Sequence, residues 1–229
     1  MKFKFYPNLK RPGILAGLLI LILTYFISCT HDDEIISSGG GGGSNITRGT
    51  ENIGFKDGKT TFDKVHSNVN WATPFLGSTG LLTGRFNTFG FNKFNFQEDK
   101  PDSIYFEAYV HLNSVNTGEP GRDGGCLLGT FGTGAGVGYV DSNVAIIRSK
   151  KVAFSTTDKG YIVTADFRFH GVTKELTAKM DYIGKNSTGT EYGFHLAFSI
   201  LAISDFGIQS TSIADNVDIK CSGNFKYTP

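Results

Sequence analysis

The sequence has almost no excess of positive over negative charge. Its 22 Lys and Arg residues stand against 21 Asp and Glu residues, which gives a formal net charge of +1 at pH 7. A protein surface that binds nucleic acid carries a clear excess of Lys and Arg. The composition shows no such excess, so we predict no nucleic-acid partner, and solubility alone accounts for the mild charge balance.

Motifs for catalysis and for metal binding are also absent. His66, His111, His170 and His195 are far apart in the sequence, without a His-x-His pair or a Glu at metal-ligand spacing. No Gly-x-Ser-x-Gly elbow presents a nucleophilic serine. The glycine-rich stretch 129–138 lacks the Gly-x-Gly-x-x-Gly pattern of a phosphate-binding loop. We therefore predict a protein that is not an enzyme and that holds no metal and no cofactor.

Helical periodicity is missing as well, because no segment shows a convincing apolar stripe at a spacing of 3.6 residues. The sequence shows alternation instead. The longest β signal covers 161–184, where apolar residues such as Val163 and Phe167 alternate with polar ones before Gly171, and the same parity resumes after it. This pattern predicts a long hairpin with one apolar face.

The remaining chain predicts further strands joined by short turns. The predicted strands cover about 62–73, 79–89, 91–97, 103–113, 150–157, 160–170, 172–184, 190–204 and 215–227. These segments are one more than the eight strands that we expect, and the surplus disappears if 79–97 is one bent strand. Sequential antiparallel strands favour a meander closed into a barrel, because closure removes exposed edges. The predicted fold is all-β, an antiparallel eight-stranded β-barrel.

The first 28 residues are predicted to be a signal peptide. Four basic residues precede an apolar run from 14 to 27, which ends at Ser28-Cys29 and is short for a membrane span. This arrangement resembles a bacterial lipoprotein signal peptide, in which Cys29 becomes the acylated first residue, although Phe26 is a bulky residue at its position. The alternative is a plain signal anchor. Loss of residues 1–28 removes four positive charges and takes the net charge from +1 to −3.

Residues 29–53 are predicted to be a flexible tether, since a stretch rich in Gly and Ser cannot bury a core. The acidic run after Cys29 resembles an export signal to the outer face of the outer membrane, with a merely solvated linker as the alternative. The predicted location is the cell envelope, lipid-anchored and at the outer membrane, with the periplasmic or the surface face left open. Residues 54–229 form the predicted barrel domain.

The barrel interior is the candidate binding site. Eight strands enclose an interior that is either filled by side chains or just wide enough for one small ligand. The chain has 20 Phe residues but one Trp and two Met. The predicted lumen-lining aromatic residues are Trp71, Phe86, Phe106, Phe154, Phe167, Phe169, Phe194 and Phe198. The further inward positions are Val69, Leu82, Ile104, Val110, Val163, Met180, Leu196, Val217, Ile219 and Phe225. Composition alone favours a packed core over a lipid cavity.

Five short motifs add a family resemblance. In chain order they are His66-Ser67-Asn68-Val69-Asn70-Trp71, Gly84-Arg85-Phe86, Ser114-Val115-Asn116-Thr117-Gly118 followed by Arg122-Asp123, His170-Gly171-Val172-Thr173-Lys174, and Ser204-Asp205-Phe206-Gly207-Ile208. Their order and spacing resemble the YceI-like family across residues 62–227. The resemblance implies a lipocalin-like β-barrel that holds a long isoprenoid or amphiphilic chain in its lumen. With it, the lipid-cavity interpretation overtakes the packed core, and a packed surface interaction or adhesion module becomes the alternative.

The sequence also departs from the family pattern. Gly125 stands where the family has a His after Arg-Asp, and Ile203 replaces a common basic residue. The resemblance places this region at the mouth of the barrel, where Arg122 and Asp123 are the candidates for holding a head group. The departures put the choice of ligand in doubt.

Two cysteines remain after Cys29. Cys126 and Cys221 are candidates for a disulfide bond outside the cytoplasm, and two separate buried thiols are the alternative. The predicted partners are a long-chain lipid or isoprenoid ligand and the membrane, through lipidated Cys29. A homodimer is a further open expectation.

Overall fold

The computed structural model describes residues 60–77, 79–96, 100–124 and 143–227. Its strands are β1 (Thr60–Phe62), β2 (Asn68–Pro74), β3 (Leu81–Phe86), β4 (Phe89–Asn95), β5 (Tyr105–His111), β6 (Val115–Asn116), β7 (Val144–Ser155), β8 (Gly160–Phe169), β9 (Val172–Lys185), β10 (Glu191–Leu201) and β11 (Asn216–Tyr227). Three single-turn helical segments accompany them, at Pro101–Ser103, Leu112–Ser114 and Pro120–Arg122. The all-β prediction is confirmed. Among these residues no helix is both long and apolar enough to cross a bilayer.

The hairpin β8–β9 is the element that alternation predicted best. Phe169 lies opposite Val172, and only His170 and Gly171 connect the two strands. Both connecting residues have positive φ angles, 50° and 78°, as a two-residue type I′ turn requires. His170 is held in this conformation because its Nδ1 lies 2.9 Å from the carbonyl oxygen of Phe206.

The strands form one antiparallel sheet in the order β4-β5-β7-β8-β9-β10-β11-β2-β3-β6, with β1 on β11. Three pairs of strands follow one another along the chain and act as single interrupted strands. β1 and β2 run along β11, β3 continues into β4 through Asn87 and Thr88, and β5 continues into β6. The sheet therefore curls until the bent β3–β4 strand meets both of its ends. Joining the three interrupted pairs leaves eight strands in the described part of the chain.

The predicted boundaries fail where alternation fails. β7 begins at Val144, six residues before the predicted start at 150. Residues Val144 to Ile147 are all buried, so both faces of this part of β7 are covered and no period-2 signal exists to find. The predicted strand 62–73 is interrupted between Phe62 and Asn68, because residues 63–67 form a loop around the side chain of Asp63.

Candidate ligand-binding cavity

An apolar cavity of about 130 Å³ lies in the interior of the curled sheet. Strands from all around the barrel contribute to its wall. Its described lining contains no Asp, Glu, Lys, Arg or His, and its polar members are Asn68, Ser222, Tyr109 and Cys221. An ionised group would lose its hydration there without gaining a partner, at a cost of several kcal/mol. The cavity is therefore suited to an uncharged apolar group.

Seven of the eight predicted aromatic residues line this cavity, and each is buried. They are Trp71, Phe86, Phe106, Phe167, Phe169, Phe194 and Phe198. Trp71 has room because its cross-strand partner is Gly84, where a Cβ atom would stand 2.5 Å from Cζ2 of the indole ring. Their position inside the barrel is as predicted, and their role in binding stays a prediction.

Phe154 is the exception, and its predicted place in the lumen is wrong. Its side chain is 57% exposed, and it does not line the cavity. Phe154 pairs with Tyr161, on the same face of the sheet as Val163 and Phe167, but it lies one residue before the end of β7 at Ser155. There its ring packs against Tyr161, with centroids 5.3 Å apart, instead of facing other strands across the barrel.

Neither Arg122 nor Asp123 lines the cavity. Arg122 is exposed at the end of the single-turn helix Pro120–Arg122. Asp123 accepts hydrogen bonds from both the backbone N and the Oγ1 of Thr117, at 2.9 and 2.6 Å. The carboxylate thus stabilises the local turn, so its place in the sequence motif has a structural explanation without a head group.

Cys221 lines the cavity as a half-buried free thiol. Burial raises the pKa of this thiol to about 12, so it is protonated and behaves as a small apolar group. Cys29 and Cys126 lie outside the described residues. Lipidation of Cys29 and the pairing of Cys126 with Cys221 therefore stay predictions.

Phe225 is at the centre of one group of interior aromatic rings, the Phe225 cluster. Its ring stacks on Phe94, with centroids 4.2 Å apart and planes 21° apart, and packs against Phe62 at 5.4 Å and Phe91 at 5.6 Å. Phe194 completes the cluster at 5.8 Å. The cluster joins β1, β4, β10 and β11 across the interior.

Phe206 is at the centre of a second group, the Phe206 cluster, near the connection from β10 to β11. Its ring lies edge-on to Phe167 and Phe169, at 5.6 and 5.4 Å, and Phe167 contacts Phe198 at 5.4 Å. Lys174 on β9 also forms an ion pair with Asp205, at 3.1 Å. Two of the sequence motifs, 170–174 and 204–208, thus meet in one structural contact.

Asp63 organises the loop between β1 and β2, and sequence reasoning missed it. Its buried carboxylate lies 2.7 Å from Nδ1 of His66 and 2.8 Å from Nζ of Lys226. Burial raises its pKa, but the hydrogen bonds from Lys226 and His66 outweigh this effect and lower the pKa to about 2. Ser67 donates to the backbone oxygen of Asp63 at 2.7 Å. The motif that begins at His66 therefore supplies two of the residues that hold this loop. We call the contacts of Asp63 with His66, Ser67 and Lys226 the Asp63 clasp.

Phe91 and Phe94 were also missed as cavity residues. They are three positions apart, which strict alternation would place on opposite faces. The register of β4 against β5 shifts between Phe91 and Lys93, so Asn92 is an extra residue and both rings point inward. Asn92 donates to Glu107 at 3.0 Å, and Glu107 also accepts from Nε of Arg148 at 2.6 Å. This pairing holds the bulge in place.

The described ranges contain no group of three or more His, Cys, Asp or Glu side chains that is placed to hold a metal ion. The buried carboxylates of Asp63 and Glu107 are each engaged by a basic side chain. The geometry thus favours binding of an apolar group over acid–base chemistry.

Comparison with known protein families gives a match to the YceI-like domain over residues 61–225. Among curated proteins, a UPF0312 protein of Vibrio parahaemolyticus is 29% identical over 161 residues, which cover 68% of this chain and 79% of the relative. A UPF0312 protein of Pseudomonas putida is 29% identical over 164 residues, which cover 69% of this chain and 81% of the relative.

Solved structures share the fold at low sequence identity. BcnA of Burkholderia cenocepacia matches with a TM-score of 0.56 and 18% identity, over 71% of this chain and 98% of its own. A polyisoprenoid-binding domain from Saccharophagus degradans, implicated in plant cell wall breakdown, matches with a TM-score of 0.52 and 17% identity, over 74% of this chain and 99% of its own. These likenesses confirm the lipocalin-like barrel class.

Proposed function

The chain belongs to the YceI-like family, and from this premise we propose that it binds a long hydrophobic amphiphile, an isoprenoid or a similar chain, in the interior of its barrel. The observation that carries the proposal is the cavity lining, which holds no charged side chain among the described residues. The polyisoprenoid-binding domain from Saccharophagus degradans, which shares the fold, supports the choice of ligand class.

Binding is driven by removal of apolar surface from water, at about 25 cal/mol per Å² of ligand and wall. The head group of the ligand is uncharged, because the lining offers only neutral polar partners. Asn68 and Ser222 are opposite each other on β2 and β11, and both line the cavity. They are better placed for a hydroxyl or carbonyl head than Arg122 and Asp123, which the cavity does not reach.

The volume of the cavity sets a condition on this function. An apolar cavity of about 150 Å³ accepts a molecule the size of benzene, whereas pockets for larger ligands occupy about 300 to 1,000 Å³. At about 130 Å³, this cavity accepts a long chain only if the aromatic side chains in the Phe225 and Phe206 clusters change rotamer. The small volume favours the second candidate function, a packed barrel that serves as a surface interaction or adhesion module.

The location is part of the same proposal. An acylated Cys29 would attach the protein to the bacterial outer membrane, and residues 29–53 would separate the barrel from the lipid surface. A membrane-tethered binder of this kind transports, stores or sequesters its ligand. Binding without catalysis is the activity that we assign to the barrel.

A matched pair of variants on β10 tests the binding function. Leu196 lines the cavity, whereas Leu201 at the end of the same strand is 44% exposed and does not. All-trans-retinol, a neutral isoprenoid alcohol, is titrated into the full-length protein while the fluorescence of the single residue Trp71 is followed. We expect Leu196→Asn to weaken binding by about tenfold or more, because the amide is buried without a partner. Leu201→Asn should bind like the unmodified protein.

Two results would contradict the proposal. Equal affinities of the Leu196→Asn and Leu201→Asn variants would place the ligand outside the cavity. Failure of the unmodified protein to bind either retinol or an uncharged polyprenol would favour the packed interaction module.

A further inference from the structure

The barrel has one seam that no described backbone pairing crosses. β1 pairs only with β11, and β4 pairs only with β5, in the described part of the chain. Side chains close the seam instead. The ring of Phe62 on β1 packs edge-on against Phe91 at 5.0 Å and Phe89 at 6.2 Å, both on β4. Opening the seam therefore breaks ring contacts and leaves the described sheet hydrogen bonds intact.

The three rings at the seam contact both the cavity and the outside. Phe62, Phe89 and Phe91 all line the cavity, yet each is only half-buried. Phe225, directly behind them, is fully buried. The seam is thus a thin part of the wall, because side chains that line the cavity there are themselves partly exposed at the surface.

Both ends of the barrel are covered more thickly in the described residues. At the end formed by the connection from β10 to β11, Phe206, Ile208 and Ile213 are all buried. At the opposite end, Phe96 and Ile104 are buried, and Phe96 packs against Phe194 at 4.8 Å. A chain that entered through either end would have to displace side chains that are embedded in the core.

The loop after β1 is anchored independently of the seam. The backbone N of Asp63 donates to Asn224 at 2.8 Å, and the backbone N of Asn224 donates to Oγ of Ser67 at 2.9 Å. Lys226 and His66 also engage the carboxylate of Asp63. β1 therefore stays attached to β11 when Phe62 swings away from β4, so that the seam opens without loss of the sheet.

We propose that this seam is the portal through which a hydrophobic chain enters the lumen, and that Phe62 is the side chain that controls entry. The inference rests on the proposed function for its ligand. It assigns to β1 a role beyond completing the sheet. It also explains how a barrel with two covered ends and a small cavity admits a long molecule from the side.

Cys221 offers a test that needs no ligand, because its thiol lines the lumen and is half-buried. The full-length protein is first reduced and freed of reductant, so that Cys221 carries a thiol whether or not it pairs with Cys126. It is then treated with N-ethylmaleimide at constant pH, and peptide mass mapping gives the rate of modification at Cys221. We expect Phe62→Ala to raise this rate by about tenfold, since local opening no longer breaks two aromatic contacts. Phe62→Leu, which keeps most of the apolar volume, should give an intermediate rate and serves if the alanine variant folds poorly.

Phe206→Ala is the control, because it removes a more deeply buried ring at the covered end. Its rate of Cys221 modification should stay within about twofold of the unmodified protein, as local opening at the seam is unaffected. Equal acceleration by Phe62→Ala and Phe206→Ala, or acceleration by Phe206→Ala alone, would overturn the portal. Stopped-flow measurement of the rate of retinol association distinguishes failure of the portal from failure of the binding function. Faster association of Phe62→Ala supports the portal, an unchanged association rate overturns the portal alone, and no binding by any form overturns the binding function on which it rests.

Discussion

Phe225 is the residue whose truncation should cost this barrel most. Its side chain is 0% exposed and contacts four other Phe rings, from β1, β4 and β10. Truncation of a buried Phe to Ala costs about 3 to 5 kcal/mol, through lost transfer free energy and the cavity that remains. The surrounding rings come from several strands and cannot collapse together, so we expect Phe225→Ala to lower the free energy of unfolding by about 4 kcal/mol.

The assay is urea-induced unfolding followed by tryptophan fluorescence, since Trp71 is the only Trp and is buried. For a domain of this size, about 1 kcal/mol corresponds to 2–4 °C in Tm, so thermal unfolding should shift downward by about 8–16 °C. Phe154→Ala is the control. Phe154 is 57% exposed and its ring packs against Tyr161 at the surface, so its truncation should cost about 1 kcal/mol or less.

Equal losses of stability in Phe225→Ala and Phe154→Ala would refute the reasoning. A loss below about 1 kcal/mol for Phe225→Ala would also refute it, because removal of a fully buried aromatic ring lowers the free energy of unfolding by more than this. Either result would show that the interior rings are not packed as described.

Two further predictions concern the motifs. Gly84→Ala should destabilise the fold by about 1 to 3 kcal/mol and shift Trp71 emission, since the new Cβ would stand 2.5 Å from the Trp71 ring. Gly223→Ala should be tolerated, because its Cβ would meet Phe225 only at 3.7 Å. Equal losses of stability in the two variants would contradict the close packing of Trp71 on Gly84. The pKa of Asp63 is lowered from 3.8 to about 2, so its ionised carboxylate stabilises the fold above pH 4. This stabilisation, about 2 kcal/mol in the free energy of unfolding, should be lost as the pH falls from about 4 to 2. Urea unfolding across this pH range should show that Asp63→Asn lacks this part of the pH dependence, and an unchanged pH profile would exclude the Asp63 clasp.

The strands that could be predicted from the sequence are those with one buried face and one face exposed to solvent. β8 and β9 alternate cleanly, and the inward positions of Phe167 and Phe169 follow from parity alone. The Gly84 motif has a steric reason, the close approach of Trp71, but only the register of β2 against β3 shows it.

The remaining features depend on departures from regular pairing. A bulge in β4 changes which side chains face inward, so that Phe91 and Phe94 both join the cavity. Phe154 is outside the cavity for a different reason, because it lies next to the exposed end of β7. Periodicity arguments cannot find a bulge, because the extra residue carries no compositional mark of its own. Asp63 was missed for a related reason, since its partner Lys226 is far away in the sequence and nothing local signals the contact.

Native mass spectrometry, with organic extraction, of the full-length protein purified from bacterial membranes is the most direct test of lipid binding in the barrel. We expect a stoichiometric long-chain species without charge, an isoprenoid or a similar amphiphile, that Leu196→Asn retains less well than Leu201→Asn. A protein that carries only its polypeptide mass and does not take up added polyprenol would contradict lipid binding and leave the packed interaction module in its place.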